Sequence, residues 1–222
     1  MGIETYFQRL TEAEKKHFPK RLFFGGNEHL LYEKRRVSVV GSRSASWEGL
    51  QRAKIISRTL VEHDIIVVSG LAKGIDTIAH QTAIDSGGQT IAVLGTPLNV
   101  PYPKENTSLL DTIKKEHLAI SQFPEGFPTQ PKNFPIRNRT MALISDATII
   151  IEATEKSGTR YQGWEALRLG REVYILENVF QDSNVSWATQ MLDFGAQILT
   201  RENVDDIFSH IPYLTSNFED AF

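Results

Sequence analysis

Short runs of β-branched and aliphatic residues alternate with helix-period segments along most of the chain. Val37–Val40 is the first run, and it breaks at Gly41 into the loop Ser42-Arg43-Ser44-Ala45-Ser46. Its composition is that of a parallel strand buried on both faces. A helix is predicted over 48–63, with Leu50, Ala53, Ile56, Leu60 and Val61 close to one face. Ile65–Val68 predicts the second strand, which exits through Ser69-Gly70. The helix after it spans 75–86 and closes on Gly87-Gly88. Thr90–Leu94 predicts a third strand, 106–115 a helix and Leu118–Ser121 a fourth strand. A loop rich in Pro, Phe and Gly over 123–135 precedes a helix over 136–145, a strand over 147–152, a helix over 161–169 and a strand over 173–176. Residues 186–209 read as a helix, a short strand at 196–199 and a final helix from Asn203.

This alternation predicts an α/β fold, an extended Rossmann-like, doubly wound and mostly parallel sheet forming a single domain over 37–210. Residues 1–36 read as a lead packed on that domain, with Phe23-Phe24-Gly25-Gly26 as a turn, and 211–222 as a frayed tail. Right-handed crossovers put the C-terminal loops of the strands on one edge, where ligands bind in such sheets.

Composition narrows the possibilities. Of 222 residues, 41% are hydrophobic, enough for a sizeable core. The absence of cysteine excludes disulfides and thiolate metal sites and fits a reducing cytoplasm. Met1–Tyr6 carries no signal-peptide pattern, and no apolar run is long enough to span a bilayer. With a formal net charge of -3, a polyanion binder has to concentrate its cations on one face.

The predicted edge loops do that. They carry Gly41, Ser42 and Arg43, then Ser69, Gly70 and Lys73, then Lys132, Arg137, Asn138 and Arg139, then Lys156, Ser157, Gly158 and Arg160. Nearby carboxylates are fewer: Asp76, Glu125, Glu152 and Glu155. The first strand-turn-helix unit, opening a helix near Ser46, is expected to offer outward N–H groups to an anion. The hydroxyls of Ser42 and Ser69 are expected to help hold a phosphate. Trp47, Tyr102, Phe123, Phe127, Phe134, Tyr161 and Trp164 cluster in or near these loops. Some belong to the core, and a subset is available to stack on bases.

Taken singly, most of these signals have plain structural readings. Gly-Ser-Arg alone is a turn, and Ser-Gly a common strand exit. Asp76 and His80, four apart on one helix face, read as a structural pair joining helix to loop rather than as metal ligands. There is no Gly-x-Gly-x-x-Gly after the first strand, no Walker loop and no Ser/His/Asp set, so standard dinucleotide binding and P-loop hydrolysis are disfavoured and no cofactor is expected. Two arginines around an asparagine in Phe134-Pro135-Ile136-Arg137-Asn138-Arg139 are the most specific local signal.

Taken together, the segments resemble the DprA/Smf family, the DNA-processing protein A of bacterial natural transformation. The matching pieces are Val39-Val40-Gly41-Ser42-Arg43, Val68–Asp76 with Ala79-His80, Gly88–Gly95, Tyr102-Pro103 with Asn106, Phe134–Arg139, Glu152-Ala153, Lys156-Ser157-Gly158 and Gly170–Val173, in family order over roughly 18–209. The resemblance implies a Rossmann-like fold without a nucleotide cofactor, single-stranded DNA binding at a basic pocket, loading of RecA recombinase, a homodimer and no catalytic activity. By position it assigns Arg43, Ser69, Gly70 and Lys73 to the pocket, continued by Arg137, Asn138 and Arg139 and walled by Lys156, Ser157 and Gly158. Departures include Glu177-Asn178 where the family shows Pro-Gly. Other readings stay open: a defence or mobile-element paralogue, a small-nucleotide binder, or a phosphoribohydrolase-like enzyme. The last has Gly-Gly-x-Gly-Thr-x-x-Glu, whereas here Ser157-Gly158-Thr159 is followed by Arg160-Tyr161-Gln162, with Glu165 one turn on.

Overall fold

The computed structural model describes residues 11–213. The first ten residues of the expected lead, and 214–222 of the expected tail, lie outside the described residues. Eight strands form one sheet: β1 Phe23–Gly26, β2 Arg36–Val40, β3 Ile66–Ser69, β4 Thr90–Leu94, β5 Leu118–Ser121, β6 Ala147–Ile150, β7 Glu172–Leu176 and β8 Gln197–Leu199. Their spatial order is β1-β5-β4-β3-β2-β6-β7-β8. Every neighbouring pair is parallel except β1 against β5. The helices among the described residues are α1 Glu12–His17, α2 Trp47–Glu62, α3 Ile75–Asp85, α4 Thr107–Glu116, α5 Asn133–Ile144, α6 Thr159–Arg168, α7 Ser186–Asp193 and α8 Val204–His210. None is long and apolar enough to cross a membrane.

The doubly wound α/β architecture is the expected one. Strand alternation sorts the core into two faces. On β2, Val37 and Val39 pack with Ala53 and Leu60 of α2 and Ala79 and Ala83 of α3, while Val40 joins Met141 and Ala142 of α5 on the other side. Such strands carry apolar residues on both faces because helices cover both. At the N-terminal end of the central strands, Arg36 and Asp146 form a buried bidentate pair, Nη2 to Oδ1 at 3.0 Å and Nε to Oδ2 at 3.1 Å. This charge pair stands at the opposite end of β2 from Gly41.

Three differences from the expected elements have clear causes. Phe23–Gly26 is an edge strand, not a turn. Its residues pair with Ser121–Leu118, a partner nearly a hundred residues away that no local pattern reveals. Helix α5 begins at Asn133, so Pro135 sits inside its first turn, where the missing N–H has no intrahelical partner to lose. Ordered packing also continues past 210: Ile211 is buried in the α2/α3 face of the core, and the Tyr213 hydroxyl donates to the Tyr32 carbonyl.

Sheet order reverses at β2. The chain winds outward through β3, β4 and β5 on one side and returns through β6, β7 and β8 on the other. The crevice above the C-terminal ends of β2 and β6 is therefore the topological switch point, the expected place for a ligand.

Candidate functional site

A cavity of about 680 Å³ opens at that switch point. From the β2–α2 loop it takes Gly41, Ser42 and Arg43. From α5 it takes Arg137 and Asn138, and from the β6–α6 loop Lys156, Ser157 and Gly158. A second cavity of about 200 Å³ adjoins it and is lined by Gly70 and Lys73 of the β3–α3 loop. Arg43, Ala72, Tyr102 and Phe134 line both, so the two make one trough with Arg43 at the junction.

Each wall is held in place from below. The Asp76 carboxylate accepts from Ala72 N at 3.3 Å, Thr77 Oγ1 donates to Ala72 O at 2.6 Å, and Asn106 Nδ2 donates to Leu71 O at 3.0 Å. Those bonds fix the loop that presents Lys73, including Leu71, whose backbone sits at φ +58°. On the other wall, Arg160 Nη1 donates to Glu155 O at 3.2 Å and Trp187 Nε1 to Thr154 O at 3.3 Å.

Arg137 is 4% exposed, and its Nη1 donates to Val93 O at 2.8 Å. Burial pulls its pKa down, the neighbouring Asp76 raises it and Arg43 lowers it again. Asp76 is correspondingly pushed up by burial, against the guanidinium and the loop N–H groups that hold it down. Gly70 lies against this arginine so closely that a Cβ would overlap the guanidinium. Arg137 thus supports the floor of the trough more than it reaches into it. Asp76 ties helix to loop as expected, through Ala72 N, whereas His80 bonds to strands instead: its Nδ1 meets Thr90 Oγ1 of β4 at 2.6 Å, and that hydroxyl donates to Val67 O of β3.

Two of the expected site residues are placed elsewhere. Ser69 is fully buried on β3, and its hydroxyl donates to Val39 O at 2.7 Å, so it faces a neighbouring strand rather than a ligand. Arg139, one helical step from Asn138, turns toward α6 and pairs with Glu165 at 3.1 Å. The expected anion seat at the start of α2 is also taken. Ser42 N donates to Glu152 O, and the Glu152 carboxylate accepts from Ser46.

The aromatics divide as expected into core and surface. Phe123 is buried beside Phe127, and Trp164 packs on Phe194. Tyr102, Phe134 and Tyr161 line the trough, with Tyr102 and Tyr161 each 48% exposed. The Arg43 guanidinium lies over the Phe134 ring at 5.3 Å, and Tyr102 meets the same ring at 5.2 Å between centroids.

Cations outnumber carboxylates along the trough, and the carboxylates nearby are engaged within the protein. Glu125 accepts from Asn99 Nδ2, Glu152 from Ser46 N and Glu155 from Ser186 N, while Asp76 is buried. Arg43 and Lys156 are exposed and, among the described residues, have no carboxylate within 4.0 Å; Lys73 is paired with Glu105 at 2.7 Å. Of these features, only the cations and aromatics carried a sequence signal. The capping by Glu152 and Glu155 had none, since it depends on β6 lying between α2 and α7.

The sequence model of the family described as "DNA recombination-mediator protein A" matches residues 2–212. The chain belongs to this family. Among curated members, the DNA processing protein DprA of Streptococcus pneumoniae is 38% identical over 182 residues, covering 82% of this chain. The chain spans 64% of that relative's length. The solved structure of the S. pneumoniae protein superposes with a TM-score of 0.81 at 35% identity, over 93% of this chain and 70% of that one. DNA processing protein A from Helicobacter pylori, whose structure is described in terms of a single-stranded DNA binding mode, superposes with a TM-score of 0.77 at 26% identity, over 91% of this chain and 89% of that one.

Proposed function

We propose that this chain binds single-stranded DNA along the trough at the switch point. The observation that carries the reading is Arg43: a cation with no carboxylate partner among the described residues, backed by Phe134 and Tyr102 at the junction of the two cavities. Arg43 and Lys156 take successive phosphates, and Lys73 takes another once released from Glu105. Tyr102 and Tyr161 offer ring faces to bases, a contact every base can make, so sequence preference is weak. The DNA binding described for the H. pylori family member supports the same reading.

Binding rather than catalysis is the proposed role. The glutamate a phosphoribohydrolase would require is best approximated by Glu165, which does not line the trough and is tied to Arg139 and Arg168. In this reading the DNA-bound protein, as a homodimer in the cytoplasm, passes its strand to RecA recombinase. Sedimentation and a recombinase-filament assay on coated single strands test those two parts.

One observation favours a second reading, a mononucleotide sensor: the larger cavity alone is of small-ligand size. Thermal shift with oligo-dT beside a panel of mononucleotides separates the two, because the preferred ligand raises the melting temperature by mass action. The DNA reading expects the larger rise with oligo-dT. A rise with one mononucleotide and none with oligo-dT overturns it.

A further inference from the structure

In doubly wound sheets the first strand-to-helix turn seats a nucleotide phosphate on the free N–H groups of the helix start. Here that turn runs from Gly41 to Ser46 and opens α2, a helix of 16 residues. The seat is filled from within. Glu152, two residues past β6, sends its carboxylate across the crevice. Its Oε1 accepts from Ser46 N at 2.9 Å, and its Oε2 accepts from the Ser46 hydroxyl, which itself accepts from Gly49 N at 2.9 Å. The main-chain oxygen of Glu152 also accepts from Ser42 N at 2.8 Å. Gly49, in the first turn of α2, leaves room for this: a Cβ there would overlap Glu152 Oε2. The carboxylate has the charge, the N–H and the hydroxyl partners that a bound phosphate would have.

We propose that Glu152 is a resident anion that sets the ligand specificity of the crevice by excluding phosphate monoesters and diphosphates from the start of α2. A free nucleotide that depends on that single seat is rejected by like charge and by occupied donors. A polymer is not, because Arg43, Lys73 and Lys156 lie along the trough outside the seat. The second half of the inference rests on the single-stranded DNA reading; the exclusion does not. Glu152 also ties down both ends of the loop that presents Arg43, through Ser42 N and Ser46 N.

The test follows the backbone amide resonances of Ser46, Trp47 and Gly49 during titration with inorganic phosphate. In the native protein these amides should show no saturable shift. In Glu152→Ala they should shift and saturate. Glu152→Gln, which keeps an oxygen on Ser46 N and fills the space but removes the charge, should give a saturable shift weaker than that of Glu152→Ala. A saturable shift in the native protein, or none in a folded Glu152→Ala, overturns the proposal. Should Glu152→Ala fail to fold, Glu152→Ser is read in the same way. Oligo-dT binding by the native protein is measured in parallel. Its loss contradicts the DNA reading while leaving the exclusion standing, so the two failures are distinguishable.

Discussion

The guanidinium of Arg43 rests over the ring of Phe134, 5.3 Å from its centroid, at the point where the two cavities meet. The ring holds a long, entropically costly side chain in a presenting geometry. It also fills the space above Gly95, where a Cβ would crowd its edge. Removing the ring in Phe134→Ala should weaken oligo-dT binding by about two- to five-fold, the size of an exposed cation–π contact. Fluorescence anisotropy with labelled oligo-dT measures this, with circular dichroism to confirm the fold.

Gly158 offers a way to close the trough without touching a charge. It lines the larger cavity at φ -63°, and a Cβ on it meets nothing within 4 Å. Gly158→Phe should therefore fold with a melting temperature close to native and lose oligo-dT affinity by about ten-fold or more, since an obstructed contact forfeits roughly one base's stacking energy. Anisotropy and a thermal melt of the same preparation check both halves.

Lys73 and Arg139 are each paired with a glutamate, but only Lys73 lines the trough, so substitutions at the two pairs should read differently. Glu105 holds Lys73 at 2.7 Å, and the hydrogen bond from that lysine keeps the Glu105 carboxyl below its ordinary range. Glu105→Gln should free the lysine and tighten oligo-dT binding, most visibly at low salt. Arg139→Ala removes a cation that already faces Glu165, so affinity should stay within about two-fold of native, as expected for an arginine outside the phosphate path.

Beneath the site, His80 should shape the acid stability of the protein. Burial, reinforced by Arg137 and His117, holds its imidazole at about 3 instead of 6.5. Between those values the unfolded chain binds a proton that the folded one does not. Stability therefore falls as pH drops through that window, by about 1.4 kcal/mol per pH unit for one group. Asp76 acts in the opposite sense, because burial raises its carboxyl and the folded state keeps that proton longer. Comparing His80→Gln with native protein cancels the Asp76 contribution. Urea unfolding at a series of acidic pH values should give a shallower fall for the variant.

Much of this arrangement is readable from residue order. Runs such as Val37–Val40 and Ala147–Ile150 are legible because strands buried on both faces are dominated by apolar, β-branched residues. Once the strands alternate with helices, topology alone brings Arg43, Lys73 and Lys156 to one edge. Tertiary pairing hides the rest. Strand β1 carries two glycines and is defined only by β5. Ser69 reads like a ligand-binding hydroxyl until β2 supplies its acceptor, and Arg139 reads like Arg137 until helix phase turns it to Glu165. Glu152 stands out in the sequence only as part of a matching motif and as an edge-loop carboxylate; its capping contact is hidden because its partner, Ser46, is 106 residues away.

In the proposed complex Arg43 and its neighbours meet the phosphates of a single strand. The decisive measurement is the salt dependence of oligo-dT binding by native protein and by Arg43→Ala. Each lost phosphate contact should lower the slope of log Kobs against log salt by about 0.7. Arg43→Ala should bind more weakly than the native protein, with a slope shallower by about that amount. Equal affinity and equal slope for the two proteins would contradict that placement of Arg43.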